Sequence, residues 1–216
     1  LSICLTSLAG CNQSPADNAD NKETEVDNFV PVLRFVAASD IHIHDNSTAT
    51  QEARLKTLFE MAYEYAENSE SGYTKLDAVL LAGDITELGT LTSMFKVKNI
   101  INSSVKNGTE LVLSMGNHDF RADPEQAVAT FRQLFNQEEY GHQIIGGYHF
   151  IKFSPAAVAP EGAADQRPGE NFDMETLEWA RQEIMKAVAD TPDKPIFVMQ
   201  HQHPTGTVYG SEAWGQ

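Results

Sequence analysis

The chain has 216 residues, of which 41% are hydrophobic, and carries a formal net charge of −16 with an isoelectric point near 4.7. This length fits one domain with a single full-sized core. Such an acidic balance argues against a protein that coats nucleic acid, because that class needs basic patches to displace counterions.

The N-terminal sequence LSICLTSLAGC (residues 1–11) is a short apolar run that ends in small residues and a cysteine. It is too short to span a bilayer and is typical of part of an export signal. Leu8-Ala9-Gly10-Cys11 resembles a bacterial lipobox, and the alternatives are an ordinary signal peptide or a frayed terminus. We therefore expect an exported protein held at the cell envelope by a lipid on Cys11, with residues 12–31 as an acidic tether and 32–216 as the folded domain.

Beyond the tether, strand patterns alternate with helix patterns. Short apolar or alternating runs predict strands over 32–39, 77–83, 110–116, 148–154 and 195–200. Helical periodicity predicts helices over 51–68, 91–105, 124–135 and 173–189, the third of them with Asp123 as N-cap and Pro124 at its first position. Residues 155–171 have the composition of a loop. This alternation predicts an α/β sandwich with a largely parallel sheet.

The periodicity of the helices also predicts which side chains enter the core. The candidates are Leu55, Leu58, Phe59, Ala62, Tyr65, Ala66, Leu91, Met94, Phe95, Val97, Ile101, Val105, Phe131 and Trp179. Gly108 is placed to end the second helix.

Polar residues follow four of the predicted strands at the point where each ends. The segments are Ser39-Asp40-Ile41-His42, Gly83-Asp84, Gly116-Asn117-His118-Asp119 and Gln200-His201-Gln202-His203. Gly, Asn and Asp also form ordinary turns. Turn chemistry alone, however, does not gather imidazoles and carboxylates at every strand exit. Because ligands collect at the carboxyl ends of strands in open α/β sheets, these segments predict a common site.

The donor types at that site suit a metal. Imidazole and oxygen ligands without thiolate favour Mn²⁺, Fe or Zn²⁺. We predict that Asp40 and His42 bind one ion, that Asp84 bridges to a second, and that Asn117 and His201 complete the second. Two ions ~3.5–4 Å apart are a recurrent device for hydrolysing phosphate esters. His203 is an alternative to His201, which we prefer because it lies closer to the strand end.

Taken in order, these motifs resemble those of the calcineurin-like metallophosphoesterases over about residues 34–204. The resemblance implies an α/β/β/α sandwich of two sheets and a dinuclear centre of divalent ions. It implies hydrolysis of phosphate mono- or diesters by a metal-bound hydroxide. His118 would lie beside the leaving oxygen, and Glu87 takes the place of the aspartate that orients this histidine in the family.

One departure from the family pattern concerns the C-terminus. The family supplies two further histidines from a Gly-His-x-His segment after the His201 position, and no such segment follows here. We therefore expect the chain to be incomplete at its C-terminus. Two alternatives to an enzyme stay open: a non-catalytic envelope lipoprotein that binds a phosphate ligand, and an interaction module that uses metal structurally.

Four further residues have ordinary interpretations. His44 and Arg121 follow two of the motifs and could approach a substrate, but solvated surface positions are the simpler expectation. His142 and His149 flank a predicted strand and are expected to be structural.

Overall fold

The computed structural model describes residues 30–204 and 206–207. The predicted lipobox with Cys11, and the tether as far as residue 29, lie outside the described residues. The helices are α1 (Ala49–Glu67), α2 (Leu91–Ser104), α3 (Pro124–Phe135) and α4 (Met174–Asp190). The strands are β1 (Phe35–Ala38), β2 (Ala78–Ala82), β3 (Glu110–Ser114), β4 (Gly141–Ile145), β5 (Tyr148–Lys152) and β6 (Phe197–Met199). Among the described helices, none is long and apolar enough to cross a membrane.

The strands form two sheets of three. The first is parallel, in the order β1-β2-β3, with Val36 opposite Val79 and Val79 opposite Leu111. The second has the order β4-β5-β6, with an antiparallel pair followed by a parallel one. The predicted α/β class is therefore confirmed, and the prediction of a largely parallel sheet holds for the first sheet only.

Alternation along β2 divides the interior into two layers. Val79 and Leu81 face helices α1–α3 in the larger core. Ala78 and Leu80 face the second sheet, where they join Phe150 and its neighbours in a smaller core. Helix α4 packs on the outer face of the second sheet, against β5. The order of layers is therefore helix, sheet, sheet, helix, as the resemblance implied.

Each helix begins at a residue whose side chain caps it. Thr48, Thr90, Asp123 and Asp173 each accept a hydrogen bond from a backbone N–H of the first turn. Such caps satisfy N–H groups that have no partner inside the helix. Asp123 with Pro124 opens α3 as predicted, whereas α2 ends at Ser104, several residues before Gly108.

Four of the predicted core positions are wrong. Tyr65 and Phe95 are 57% and 52% exposed, and the nearby Tyr63 takes the buried position on α1. Leu91, the first residue of α2, is 58% exposed. Trp179 is only half-buried and packs against the ring of Tyr140 instead of entering either core. The reason is geometric: several residues on an aromatic-rich helix satisfy the same periodicity, and the tilt of the helix on the sheet decides which one is covered.

Strand β4 was absent from the prediction. Its sequence, GHQII, has no continuous apolar run, and its burial is mostly partial. The signal that could have revealed it is Gly146-Gly147, which joins β4 to β5 with positive φ at both residues. Two such residues between strand patterns are a hairpin signature.

Candidate metal centre

The chain segments that follow β1 and β2 run side by side beyond the end of the sheet. The backbone N–H of Asp40 donates to the Gly83 carbonyl, and that of His42 donates to the Asp84 carbonyl at 2.9 Å. Ile43 then forms an isolated bridge with Thr86. These bonds fix the Asp40–His42 segment against the residues around Asp84, so that side chains from separate strands meet over the sheet edge.

Three of the proposed ligands have left-handed backbone conformations. The φ angles are 57° at Asp40, 51° at His42 and 50° at Asp84. Each such conformation costs of order 1–3 kcal/mol in a residue with a side chain and is concentrated at functional sites. The neighbouring fold therefore holds these three backbones in place against local strain.

Two glycines allow the strand exits to approach closely. A Cβ on Gly116 would lie 2.3 Å from Asp84 Oδ1 and 2.7 Å from His201 Cδ2. A Cβ on Gly83 would lie 2.6 Å from the His201 side chain, and Gly83 also has positive φ. Only glycine permits this spacing, so the two positions are part of how the site is built.

A single buried carboxylate is the centre of the cluster. Asp84 Oδ2 lies 3.2 Å from His201 Nε2, 3.6 Å from His42 Nε2 and 3.8 Å from His118 Nε2. Asp40 Oδ1 lies 3.7 Å from His42 Nε2. Burial opposes ionisation of Asp84, but its hydrogen bond with His201 and the nearby imidazoles outweigh burial and lower its pKa. An ionised carboxylate with several imidazoles is a donor set that suits a divalent cation.

The hydrogen bonds of two histidines leave the same nitrogen free for a metal. His201 Nδ1 lies 2.9 Å from the Ala82 carbonyl, which can only accept, so Nδ1 carries the proton. His42 Nδ1 lies 2.7 Å from Glu87 Oε2. Both Nε2 atoms therefore face Asp84. Histidines that bind metal commonly have this arrangement, in which the other ring nitrogen bonds a carbonyl or carboxylate that fixes the ring.

Without a metal, a proton occupies Nε2 of His201. Burial lowers the pKa of His201, but the hydrogen bond and charge of Asp84 outweigh burial and raise it to about 9. A cation would compete with this proton for Nε2.

Glu87 contacts two imidazoles with its two oxygens. Oε2 bonds His42 Nδ1, and Oε1 lies 3.2 Å from His118 Nδ1 and 3.1 Å from an Arg121 guanidinium nitrogen. Although the His118 distance is within hydrogen-bond range, its geometry is not that of a hydrogen bond, and this nitrogen has no other partner in the part of the chain that the structure describes. Burial raises the pKa of Glu87, but the charges of His118, His42 and Arg121 outweigh burial and lower it. Glu87 thus connects His42, a proposed metal ligand, to His118, the proposed general acid.

The GNHD motif forms a 3-10 turn over Asn117–Phe120. Its fully buried Asp119 accepts hydrogen bonds from the backbone N–H groups of Ile85, Thr86 and Gly116 and from the Thr86 hydroxyl. Burial raises the pKa of Asp119 to about 6, although these donors lower it. The carboxylate therefore ties the turn to the residues that follow Asp84. The sequence alone does not predict this role of Asp119.

The backbone of the same turn also reaches the central carboxylate. The His118 N–H donates to Asp84 Oδ1 at 2.9 Å. Asn117 precedes it, and its Nδ2 donates to Glu170 Oε1 at 3.0 Å. Glu170 comes from the loop over 155–171 and was not among the predicted site residues.

Within the described part of the chain, two groups of three acidic or histidine residues have ligand atoms within 4.8 Å of one another: Asp40, His42 and Asp84, and His42, Glu87 and His118. The structure also bears on the other histidines. His201 Nε2 lies beside Asp84, whereas the buried Nε2 of His203 has no hydrogen-bond partner among the described residues. His44 is 39% exposed and lies 4.0 Å from Glu87. His142 and His149 bond each other between Glu183 and Asp190, on the face of the second sheet that carries α4.

Comparison with known proteins identifies one family. The family model described as calcineurin-like phosphoesterase matches residues 33–216, which is most of the chain. A comparison with curated proteins gives no match.

Proposed function

Because the chain belongs to the calcineurin-like phosphoesterase family, we propose that it hydrolyses phosphate mono- or diesters with two divalent ions bound at the Asp84 cluster. We further propose that it does so outside the cytoplasm, anchored to the cell envelope by a lipid on Cys11. Family membership suggests a phosphoric ester hydrolase and supports the use of divalent metal.

The observation that carries the proposal is the convergence of three imidazoles on one buried carboxylate. His42, His118 and His201 each direct Nε2 to within 3.8 Å of Asp84 Oδ2. They come from three separate strand exits, and left-handed backbone at His42 and Asp84 maintains the convergence. Such strain is concentrated at active sites and ligand clamps, so it favours a pre-organised cation site over an ordinary turn.

The donor set fits the proposed ions. Asp40 and His42 would hold the first ion, Asp84 would be shared, and Asn117 and His201 would hold the second. When bound, divalent ions supply Lewis-acid activation of water and neutralise charge that develops at phosphorus.

His118 is the proposed general acid. Its ring lies edge-on to that of His42, with centroids 4.4 Å apart, and its side chain is 18% exposed. It therefore reaches both the centre of the site and solvent-accessible space, where a substrate would lie. Its role would be to hold a proton on Nε2 and deliver it to the leaving oxygen. Glu87 would stabilise the protonated ring from the Nδ1 side.

The test is a metal-reconstitution assay. The protein is stripped with a chelator, reloaded separately with Mn²⁺, Fe²⁺ and Zn²⁺, and assayed on phosphate mono- and diesters while bound metal is counted. We expect two ions per chain and hydrolysis that depends on them, with both lost in Asp84→Asn and both retained in Asp45→Asn. Two bound ions without hydrolysis of any ester would favour the non-catalytic alternatives. Absence of metal binding would refute the proposal.

A further inference from the structure

We propose that Glu170 is a positioning residue for the second ion, because it selects the orientation of the Asn117 amide and thereby the affinity of that ion. The inference rests on the proposed two-ion function and adds a residue to it. Asn117 Nδ2 lies 3.0 Å from Glu170 Oε1, across 53 positions of sequence.

The NH₂ end of the Asn117 amide faces the Glu170 carboxylate. An ionised carboxylate can only accept hydrogen bonds, so the atom bonded to Glu170 has to be the NH₂ group of Asn117. The amide oxygen then points away from Glu170. Because a metal ion binds an amide through its oxygen, the contact prepares Asn117 as a ligand before any ion arrives.

The loop around Glu170 is held in place by backbone hydrogen bonds and close packing. The Gly169 N–H donates to the Ala156 carbonyl at 2.9 Å, and the Ala156 N–H donates to the Asn171 carbonyl at 2.7 Å. A Cβ on Gly169, which has positive φ, would lie 2.7 Å from Asn117 Cα. The loop backbone is therefore closed on itself and packed against Asn117, and the Glu170 side chain is only 18% exposed.

The same loop also contacts the segment of His201, the other proposed ligand of the second ion. Gln202 is buried, and its Nε2 donates to the Gly169 carbonyl at 2.7 Å. Gln202 directly follows His201, so one short stretch of the loop contacts both chain segments that supply the second ion. The structure shows no such hydrogen bond from this stretch to Asp40 or His42 among the described residues. The effect of Glu170 should therefore be confined to the second ion.

One competing cation lies nearby. Arg167 is 3.6 Å from Glu170 Oε1, but it is 70% exposed and already pairs with Asp165 through several nitrogens. Asn117 is thus the partly buried partner of Glu170, and Arg167 is a solvated neighbour.

The experiment is a calorimetric titration of the metal-free protein with Mn²⁺ alone. Glu170→Ala should weaken one of two binding events by about 10–100-fold, the usual effect of removing a partner behind a metal ligand. Glu170→Gln keeps one acceptor oxygen but can also present an NH₂ group to Asn117, so it should restore only part of the affinity. Glu161→Ala removes an exposed carboxylate from the same loop and should bind Mn²⁺ as wild type does. The melting temperature of each metal-free variant shows that it is folded.

A double variant isolates the route of the effect. If Glu170 acts through Asn117, then Glu170→Ala added to Asn117→Ala should cause no further loss of second-ion affinity. A further loss, an equal loss at both ions, wild-type affinity in Glu170→Ala, or binding by Glu170→Gln that is no tighter than by Glu170→Ala would each overturn the inference. If wild type itself binds fewer than two ions, the proposed function fails, and this inference fails with it.

Discussion

Asn117 and His118 are adjacent in the 3-10 turn, yet we propose different roles for them. Asn117→Ala should lower occupancy of the second ion, and excess metal should restore part of the activity. His118→Ala should keep its metal and lose ~10²–10⁴-fold in kcat, because proton delivery is removed. That loss should be smaller for nitrophenyl esters, whose leaving groups need little protonation.

The measurements are metal content and kcat for both variants, on esters with good and poor leaving groups. Loss of metal from His118→Ala, or an equal loss of its activity on both kinds of ester, would show that His118 is not the general acid.

His201 gives the metal site a predictable response to pH. Because its pKa is about 9 in the metal-free protein, a metal bound to Nε2 has to displace a proton at neutral pH. Metal affinity should therefore rise as pH increases towards 9, where the competing proton is lost. Calorimetry in two buffers with different ionisation enthalpies should detect proton release on binding.

His201→Ala should bind more weakly and release fewer protons, whereas the exposed His44→Ala should release as many as wild type. Metal affinity that does not change between pH 7 and 9 would contradict the assignment of His201 as a ligand.

At the scale of elements, Asp119 connects two segments that carry proposed ligands. It accepts from Ile85, Thr86 and Gly116, so Asp119→Asn would turn an NH₂ group towards at least one N–H donor. We expect a loss of ~1–3 kcal/mol in the free energy of unfolding, because a buried donor is left without an acceptor.

Asp123→Asn is the matched control for this substitution. Asp123 caps α3 at an exposed position, where Asn is an equally good N-cap. Denaturant unfolding should therefore give a lower free energy of unfolding for Asp119→Asn than for Asp123→Asn. Equal stability of Asp119→Asn and wild type would show that the turn does not depend on this carboxylate.

The sequence predicted elements well where the pattern is local. The exits of strands β1, β2 and β3 can be predicted because each follows an apolar run. The cap of α3 can be predicted because Asp123 and Pro124 are adjacent in the chain. The contact of Glu170 with Asn117 was unpredictable from this one sequence, because it lies in a loop without periodicity and depends on how that loop folds back. The double role of Glu87 likewise follows from the distance between His42 and His118, which only the tertiary structure provides.

At the scale of the whole molecule, the lipid anchor is still a prediction, because Cys11 lies outside the described residues. The protein should fractionate with membranes and enter the detergent phase of a detergent separation, because an acyl-modified cysteine adds buried hydrocarbon. Cys11→Ser should instead appear in the aqueous phase.

Cys4→Ser is the control, since it changes the other cysteine outside the proposed lipobox. If wild type and Cys11→Ser partition identically into the aqueous phase, the lipobox interpretation is wrong.

The free energy of unfolding of the whole domain should change with pH because of Lys152, which is buried on β5. Its ammonium group donates to the Glu138 carbonyl and lies 5.3 Å from the centre of the Phe131 ring. Burial lowers the pKa of Lys152 to about 8, although the charges of Glu139 and Glu138 oppose the shift. Its pKa in the unfolded chain is the ordinary 10.5.

The sign of the effect follows from proton binding. Below pH 8 both states hold the proton, and the folded state bears the cost of a buried charge. Between pH 8 and 10.5 the unfolded state binds more protons, so Lys152 should make the free energy of unfolding rise with pH, by at most ~1.4 kcal/mol per unit. Since Tyr73, with its pKa raised to about 12, has the opposite effect above pH 10, the useful window is pH 7.5–10.

Lys152→Met keeps most of the side-chain volume and removes the titrating group, so its stability should rise less with pH than that of wild type over this window. Lys186→Met removes a lysine that is 67% exposed on α4 and should leave the slope unchanged. The measurement is denaturant unfolding at half-unit pH steps, with each variant compared to wild type so that other titrating groups cancel. Parallel curves for wild type and Lys152→Met would show that Lys152 keeps an ordinary pKa and that its burial places no charge penalty on the fold.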